Sequence, residues 1–498
     1  MKFERLLGAI GQECPRELLG IDAAGVVTDP SRAVDNCIFV CIRGSRFDGH
    51  NHVAEAIEAG AKVIVAENVR GLREGGAALT SVNNTRLCAS LLYNEWFDRP
   101  TDKLKIIGVT GTNGKSSVVH MLKAIFERAG YLCASIGTLG AYIKDQRIDC
   151  DELGSAHMTT PDPETLYSYL AKMSESGVEY VFMEVSSHAL SQCRTDAIRF
   201  ECSVFTNLTQ DHLDFHGDME SYYKAKEKLF LQSRRAVVNV DDASGRRLIE
   251  FLKQKGISAK SCSADTGDFC ALFRETSDRR KIEYLLKCAD GEYMVSLPNF
   301  VGEFQIMNSL QAAAVASVFG ISFEDIQKAF LNMPSVCGRL ERVVAHPKQE
   351  IEIYIDYAHT PDALRGLLES VREIRKNDSR IVLLFGCGGD RDRDKRRQMG
   401  QIASRFSDMV IISSDNSRSE DPCSIIADIL KGIDKEKRYA VIVDRATAIE
   451  RAIKEYTRKG DILILAGKGH EKYQICSDGV RELDERKIVT EVFFDLYG

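Results

Sequence analysis

Gly108-Val109-Thr110-Gly111-Thr112-Asn113-Gly114-Lys115-Ser116-Ser117 decides how the chain folds. It places GxxxxGKS between a β-branched apolar run, Lys105–Thr110, and a segment in which Val118, Leu122 and Ile125 recur at helical spacing up to Gly130. A strand that feeds a glycine-rich loop and then a helix aims several backbone N–H groups at one point, where they can wrap phosphate oxygens. Gly111, Thr112, Asn113 and Gly114 form that loop. Lys115 can neutralise the β and γ phosphates, Ser116 can offer its hydroxyl to Mg²⁺, and Ser117 continues the helix. The expectation is an ATP site in an α/β fold.

Working outward, Glu184 ends the apolar strand Tyr180–Met183 and is followed by Val185-Ser186-Ser187-His188. Beside a phosphate loop, a strand-end carboxylate is a candidate second ligand for the metal of the nucleotide; standing alone it is only a strand-end charge. Thr206-Asn207-Leu208-Thr209-Gln210-Asp211-His212-Leu213-Asp214 follows a further strand, Cys202–Phe205. Asp211 and His212 could ligate a metal there, and a polar turn capping a helix reads equally well from spacing. His212 and His216 stand at i, i+4, with no HExxH pattern to make them a zinc pair.

Two punctuations divide the chain. Asp98-Arg99-Pro100-Thr101-Asp102 separates the helix-like Leu87–Trp96 from Leu104–Val109, and Cys337-Gly338-Arg339-Leu340-Glu341 precedes a new series of strands. The expected domains are 1–100, 101–341 and 342–498. In the last, Ile351–Ile355, Ile381–Phe385, Met409–Ser413, Tyr439–Val443 and Asp461–Ala466 read as strands of an open sheet whose ligand crevice lies at their carboxyl ends.

Bulk properties agree. At 498 residues the chain exceeds one hydrophobic core. With 28% charged residues and net charge −7 it carries no global basic excess to suggest nucleic acid. No apolar h-region follows Met1, and the apolar stretch near Ala312–Ile321 is far below the roughly 18 residues of a membrane span. Fifteen cysteines without a CxxC pair suit reduced, mostly buried thiols, so a cytoplasmic protein with no membrane insertion is expected.

GVTGTNGKSS, MEVSSHAL, TNLTQDHLDFHG, GRLE at Gly338, DYAHTPDAL at Asp356 and GKGHEKYQ at Gly467 together resemble the Mur ligase family in order and spacing. Thr28-Asp29-Pro30-Ser31-Arg32 and Gly44–His50 resemble that family's UDP-binding region, so the likeness covers nearly the whole chain. It implies an N-terminal UDP-binding α/β domain, a central P-loop ATPase-like domain and a C-terminal Rossmann-like open sheet. It also implies a reaction in which ATP phosphorylates a carboxylate, an amine attacks the acyl phosphate and phosphate leaves.

By the same resemblance Lys115, Glu184, His212 and Lys226 are catalytic. Ser116 and Glu184 hold one Mg²⁺, and a second is shared by Glu184, His212 and a carbamylated Lys226. Taken without the family, Lys226 between Lys224 and Lys228 reads as an ordinary solvated helix face. Asn308, Arg339 and Asp356 match further ATP-binding positions, with Gln305 departing from an expected asparagine. Ser31, Thr159, Thr160, Ser186, Gln192 and Arg194 match positions for UDP-N-acetylmuramoyl-L-alanyl-D-glutamate. Arg391, Asp415, Asn416, Ser417, Arg418, Gly467 and Glu471 match positions for the added amino acid, which the Asp415–Arg418 signature marks as meso-diaminopimelate. Serine stands there at 417 where the signature has proline, and the expectation is a looser turn that keeps the Arg418 charge. In isolation, Asp415–Arg418 reads as a charged turn before a helix starting near Pro422.

A monomer is expected. Three alternatives stay open: the same ligase using L-lysine, a related ligase such as folylpolyglutamate synthetase, and a nucleotide-binding regulatory protein without turnover. The UDP-type N-terminal segment and Arg418 argue against the first two, and the intact catalytic set against the third.

Overall fold

The computed structural model describes residues 1–44, 47–70, 75–148, 158–273, 281–376 and 378–498, so residues 45 and 46 of the Gly44–His50 run lie outside it. Three main sheets follow one another along the chain. Residues 25–81 form a four-stranded parallel sheet, Gly25–Val27, Cys37–Val40, Val63–Ala66 and Ala78–Ser81 in that order. Helices Phe3–Ala9 and Thr85–Trp96 pack together against it, and the core under them runs on into one face of the next sheet.

That second sheet has eleven strands. Its parallel centre is Ser258–Ser263, Arg235–Asn239, Cys202–Phe205, Lys105–Thr110, Tyr180–Glu184 and Cys133–Gly137. Strands such as Val181–Met183 and Ile106–Val109 are buried on both faces, as a parallel sheet covered by helices requires. Helices Lys115–Arg128 and Phe304–Val318 pack together on one face. The carboxyl ends of four central strands therefore open on one edge, carrying the loops that begin at Gly111, Thr138, Val185 and Thr206.

The third sheet has six strands in the order Glu341–Val343, Glu352–Asp356, Ile462–Ala466, Ile381–Phe385, Met409–Ile412 and Arg438–Val441. All neighbours are parallel except the first pair. Ile462–Ala466 lies between Glu352–Asp356 and Ile381–Phe385, so the strand order departs from sequence order beside the crevice. Two helices behind it start on proline after a capping side chain: Thr360 Oγ1 accepts from Ala363 N before Pro361–Ile374, and Asp421 accepts from Cys423 N and Ser424 N before Pro422–Leu430. Strand limits read from sequence shift here by one or two residues. Among the described residues the cysteines are free and mostly buried, and no helix is long and apolar enough to cross a membrane.

Candidate active site

The loop Gly111–Gly114 is built where only glycine fits. Gly111 and Gly114 have φ of +153° and +86°, and a Cβ would stand 1.8 Å from Thr206 Oγ1 at the first and 2.5 Å from Asn308 Oδ1 at the second. Asn308 is itself oriented: its Nδ2 donates to Gln305 Oε1 at 3.0 Å, so the departure at 305 fixes the Asn308 amide. Asn207 holds the loop from the neighbouring strand end, accepting from Asn113 N at 2.9 Å and donating to Asn113 O at 3.2 Å. Lys115 Nζ donates to Gly111 O and Thr112 O, both at 2.9 Å, and burial lowers its pKa.

Glu184 is buried at the end of its strand, where its two oxygens accept from Thr138 N and Thr138 Oγ1, each at 3.0 Å. Thr138 Oγ1 in turn meets Thr159 Oγ1 at 3.1 Å. Thr160 Oγ1 donates to Glu184 O at 2.9 Å and accepts from Ser186 N at 3.0 Å. Arg194 donates to Thr160 O at 2.6 Å and to Gln192 Oε1 at 2.7 Å. Thr159, Thr160, Ser186, Gln192 and Arg194 thus form one network on the Glu184 strand end. Ser31 stands apart, its hydroxyl donating to Asp29 Oδ1 at 2.7 Å. Arg32 beside it reaches Glu164 of the helix after Thr160.

His212 sits in the left-handed region at φ +55°, 3.3 Å from Asp211. The side chain is 42% exposed, and desolvation at the cleft wall, only partly opposed by Asp211, lowers its pKa, which favours the neutral ring that can ligate a metal. His216 is engaged with the Ser187 hydroxyl at 2.9 Å and stacks on Tyr222, and among the described residues no three His, Cys, Asp or Glu side chains converge on a metal-sized site. No hydrogen bond or ion pair joins Glu184 to His212. The solvated-face reading of Lys226 is overturned: only 2% of the residue is exposed, and its ammonium lies 4.6 Å from the Tyr222 ring centre. Burial, with Lys115 adding to it, pushes the Lys226 pKa far down.

Residues of the third sheet complete the site. Arg339 Nη2 donates to Ser116 Oγ at 3.1 Å, while its Nε is buried with no partner. Asp356 accepts from Leu340 N and Ala358 N, at 2.6 and 2.7 Å, which holds the turn carrying Arg339. Gly338, at φ +65°, lies so close to Gly469 that a Cβ would be 2.4 Å from its carbonyl carbon.

Between the second and third sheets opens a cleft of about 890 Å³, lined by Asp211 and His212 on one side and by His359, Arg391, Asp415 and Arg418 on the other. It lies at the carboxyl ends of the third sheet's strands, where the open-sheet reading put it. Asn416, Gly467 and Glu471 also line it. Asp415, Asn416 and Ser417 are buried, so the Asp415–Arg418 segment is no solvated turn. Nor is it left loose by Ser417, because neighbouring groups tie it down. Ser417 O accepts from Glu420 N at 3.0 Å, Ser419 Oγ donates to Asp390 Oδ1 at 2.6 Å, and Arg418 Nη1 donates to Gly389 O at 2.8 Å. Among the described residues neither Arg391 nor Arg418 forms an ion pair with a carboxylate, and burial and then Arg391 lower the Arg418 pKa against the opposing pull of Asp415, Glu471 and Asp390. Thr138 and His359 are site groups that residue-by-residue reading missed, although His359 stands inside a quoted motif; Lys468, inside another, lies buried behind the cleft wall.

Comparison with known proteins agrees with this geometry. The Mur ligase middle domain matches residues 109–316, and the Mur ligase glutamate ligase domain matches residues 338–469. A UDP-N-acetylmuramoyl-L-alanyl-D-glutamate–2,6-diaminopimelate ligase of Clostridium perfringens is 38% identical over 461 residues, 91% of each chain. One from Clostridium acetobutylicum is 36% identical over 510 residues, covering all of both. A solved structure of a ligase of that name superposes over the full length of both chains with a TM-score of 0.70 and 28% identity. The chain belongs to the Mur ligase family.

Proposed function

We propose that this enzyme is an ATP-dependent ligase that joins meso-diaminopimelate to the D-glutamate γ-carboxylate of UDP-N-acetylmuramoyl-L-alanyl-D-glutamate, a step of peptidoglycan precursor synthesis. Relatives that match 91% and all of the chain carry the name of that activity. The observation that carries the choice of amino acid is the pair Arg391 and Arg418, two guanidiniums lining one cleft, neither of them ion-paired to a carboxylate among the described residues. Such a cleft favours a ligand that brings carboxylates of its own.

The N–H groups of Gly114–Ser117 at the start of the helix and the Lys115 ammonium hold the ATP phosphates, and Gly111, Thr112, Asn113, Asn308, Arg339 and Asp356 border them. The buried Ser116 hydroxyl and Glu184 carboxylate suit Mg²⁺, which takes few protein ligands alongside phosphate oxygens. Bound there, the ion would offset charge on the phosphoryl group in transfer. Lys226, buried and with its ammonium disfavoured, presents the free amine that would add carbon dioxide and release a proton to give a carbamate anion, and His212 approaches the same Tyr222 ring as Lys226. Thr159, Thr160, Ser186, Gln192 and Arg194 offer donors and acceptors to the peptide, with Ser31 toward the uridine end. This reading divides the chain into domains 1–100, 101–341 and 342–498, a division supported by the succession of three sheets, the third of which starts at Glu341.

The test is phosphate release at saturating ATP and UDP-linked dipeptide, with diaminopimelate, lysine or no amino acid. Release should require diaminopimelate, and Lys115→Ala should lower it by about 10³-fold, since an uncompensated phosphoryl charge in the transition state is costly. Equal rates with and without an amino acid would overturn the ligase reading.

A further inference from the structure

Lys468 follows the strand Ile462–Ala466 in the loop that walls the cleft, yet it does not line the cleft. It is fully buried behind Gly467 and Glu471, which do. Its Nζ donates to Asn416 Oδ1 at 3.1 Å and to Glu471 Oε2 at 3.0 Å, and lies 3.6 Å from Asp415 Oδ1. Asn416 Nδ2 closes the ring by donating to the same Glu471 oxygen at 2.8 Å. Gly467, at φ +112°, keeps the loop tight: a Cβ there would stand 2.7 Å from Asp415 Oδ2. One internal ammonium therefore ties together three groups of the amino-acid site that come from two different strand ends.

The charge balance gives this knot a consequence. At the amino-acid end the cleft presents Arg391 and Arg418 against Asp415 and Glu471, which cancel. Lys468 behind the wall tips the sum to positive. Diaminopimelate carries an ammonium and a carboxylate at each end and is neutral overall, whereas lysine lacks the distal carboxylate and is a cation. We infer that Lys468 is a positioning residue that sets the amino-acid preference, an inference that rests on the ligase reading above. By occupying Asp415 and Glu471 with an internal ammonium it leaves the distal end of the site short of negative charge, so a ligand with an extra carboxylate is rewarded and one with only an extra ammonium is repelled. Without Lys468, the two carboxylates would be free to accept the distal ammonium of lysine, and Asn416 would lose the contact that orients its amide.

The experiment compares Lys468→Met, which keeps the stem and removes the charge, with Lys468→Arg, which keeps the charge. Steady-state rates are measured with diaminopimelate and with lysine, alongside hydroxylamine trapping of the acyl phosphate as a hydroxamate, which needs ATP and dipeptide but no amino acid. Lys468→Met should lower kcat/KM for diaminopimelate about 10- to 100-fold, mainly through KM, and reduce the ratio over lysine about tenfold, while trapping stays near the native rate. Lys468→Arg should keep most of the ratio. If Lys468→Met leaves the ratio unchanged, or if trapping collapses together with both amino-acid rates, Lys468 only supports the fold and the inference is overturned. A native enzyme that prefers lysine would instead sink the diaminopimelate reading, which separates the two failures.

Discussion

Arg339 Nη2 donates to Ser116 Oγ at 3.1 Å, a bond between residues 223 positions apart in the chain. It joins the turn before the third sheet to the first turn of the phosphate-loop helix. The guanidinium also rests over the Tyr357 ring, at 4.9 Å, and its Nε has no partner. A buried Nε without a partner among the described residues, in a half-buried guanidinium beside a phosphate loop, suits a phosphate oxygen.

The first prediction follows from that bond. Arg339→Ala should reduce kcat by about 10²-fold or more, as losing a donor aimed at developing charge does, while KM for the amino acid changes little. Arg339→Lys, which keeps charge but not the forked geometry, should recover only part of the rate. Phosphate-release kinetics on both variants decide it, and an unchanged kcat in the alanine variant would remove Arg339 from the nucleotide site.

Lys226→Ala should abolish turnover through loss of the carbamate. Because Lys226 is buried against Tyr222, truncation leaves a cavity, so the melting temperature should fall too and is not the informative readout. Rescue is: acetate or propionate, entering that cavity, should restore part of the rate in proportion to their concentration. Full activity without added acid would refute the role of the modification.

His470 offers a pH test. Burial first, then Arg339, Arg486 and Lys468, bring its pKa down to about 3, and its Nδ1 is buried without a partner. A folded-state pKa below the unfolded value of about 6.5 means that the unfolded chain binds the proton more readily. The contribution to stability is whole above pH 6.5 and is lost as pH falls from there toward 3, at up to about 1.4 kcal/mol per unit. Denaturant unfolding at pH 7, 6 and 5 should show that loss, and His470→Gln should flatten part of it. Parallel curves for the two proteins would show that His470 does not titrate in this window.

Much of this was legible in the sequence, where local signals and tertiary demands coincide. Lys105–Thr110 and Cys202–Phe205 form as strands within their expected limits because β-branched, apolar runs suit a sheet covered on both faces. Without the family Lys226 reads as solvated, although the opposite signal is present: it lies four residues after Tyr222 and four before Phe230, on the buried stripe of the helix Met219–Leu231. The flanking charges Lys224 and Lys228 mask that period. Lys468 gave no such warning, since a lysine between two glycines looks like a loop charge, and only the meeting of two strand ends buries it. The bond from Arg339 to Ser116 likewise depends on a fold-level approach that no local spacing encodes.

The last prediction concerns Arg418, whose Nη1 is committed to Gly389 O at 2.8 Å and approaches Asn416 O at 3.3 Å. Those bonds fix the plane of the guanidinium while its remaining donors form no ion pair with a carboxylate among the described residues. Arg391 lies near enough to lower the Arg418 pKa further, an arrangement that is unfavourable until an anion enters between or beside the two. Diaminopimelate supplies that anion and lysine does not, so lysine would leave a half-buried guanidinium desolvated and unmatched. The expected order of kcat/KM is diaminopimelate well above lysine or ornithine. Arg418→Ala should lose most of that ratio, about 10²-fold for a charge-assisted contact of a few kcal/mol, with KM for ATP nearly unchanged. Arg418→Lys should not restore it, because an ammonium cannot hold both carbonyls and a carboxylate in one plane. The measurement is phosphate release with each amino acid at saturating ATP and dipeptide, and an alanine variant that keeps the native ratio would assign the recognition of the distal carboxylate to Arg391 instead.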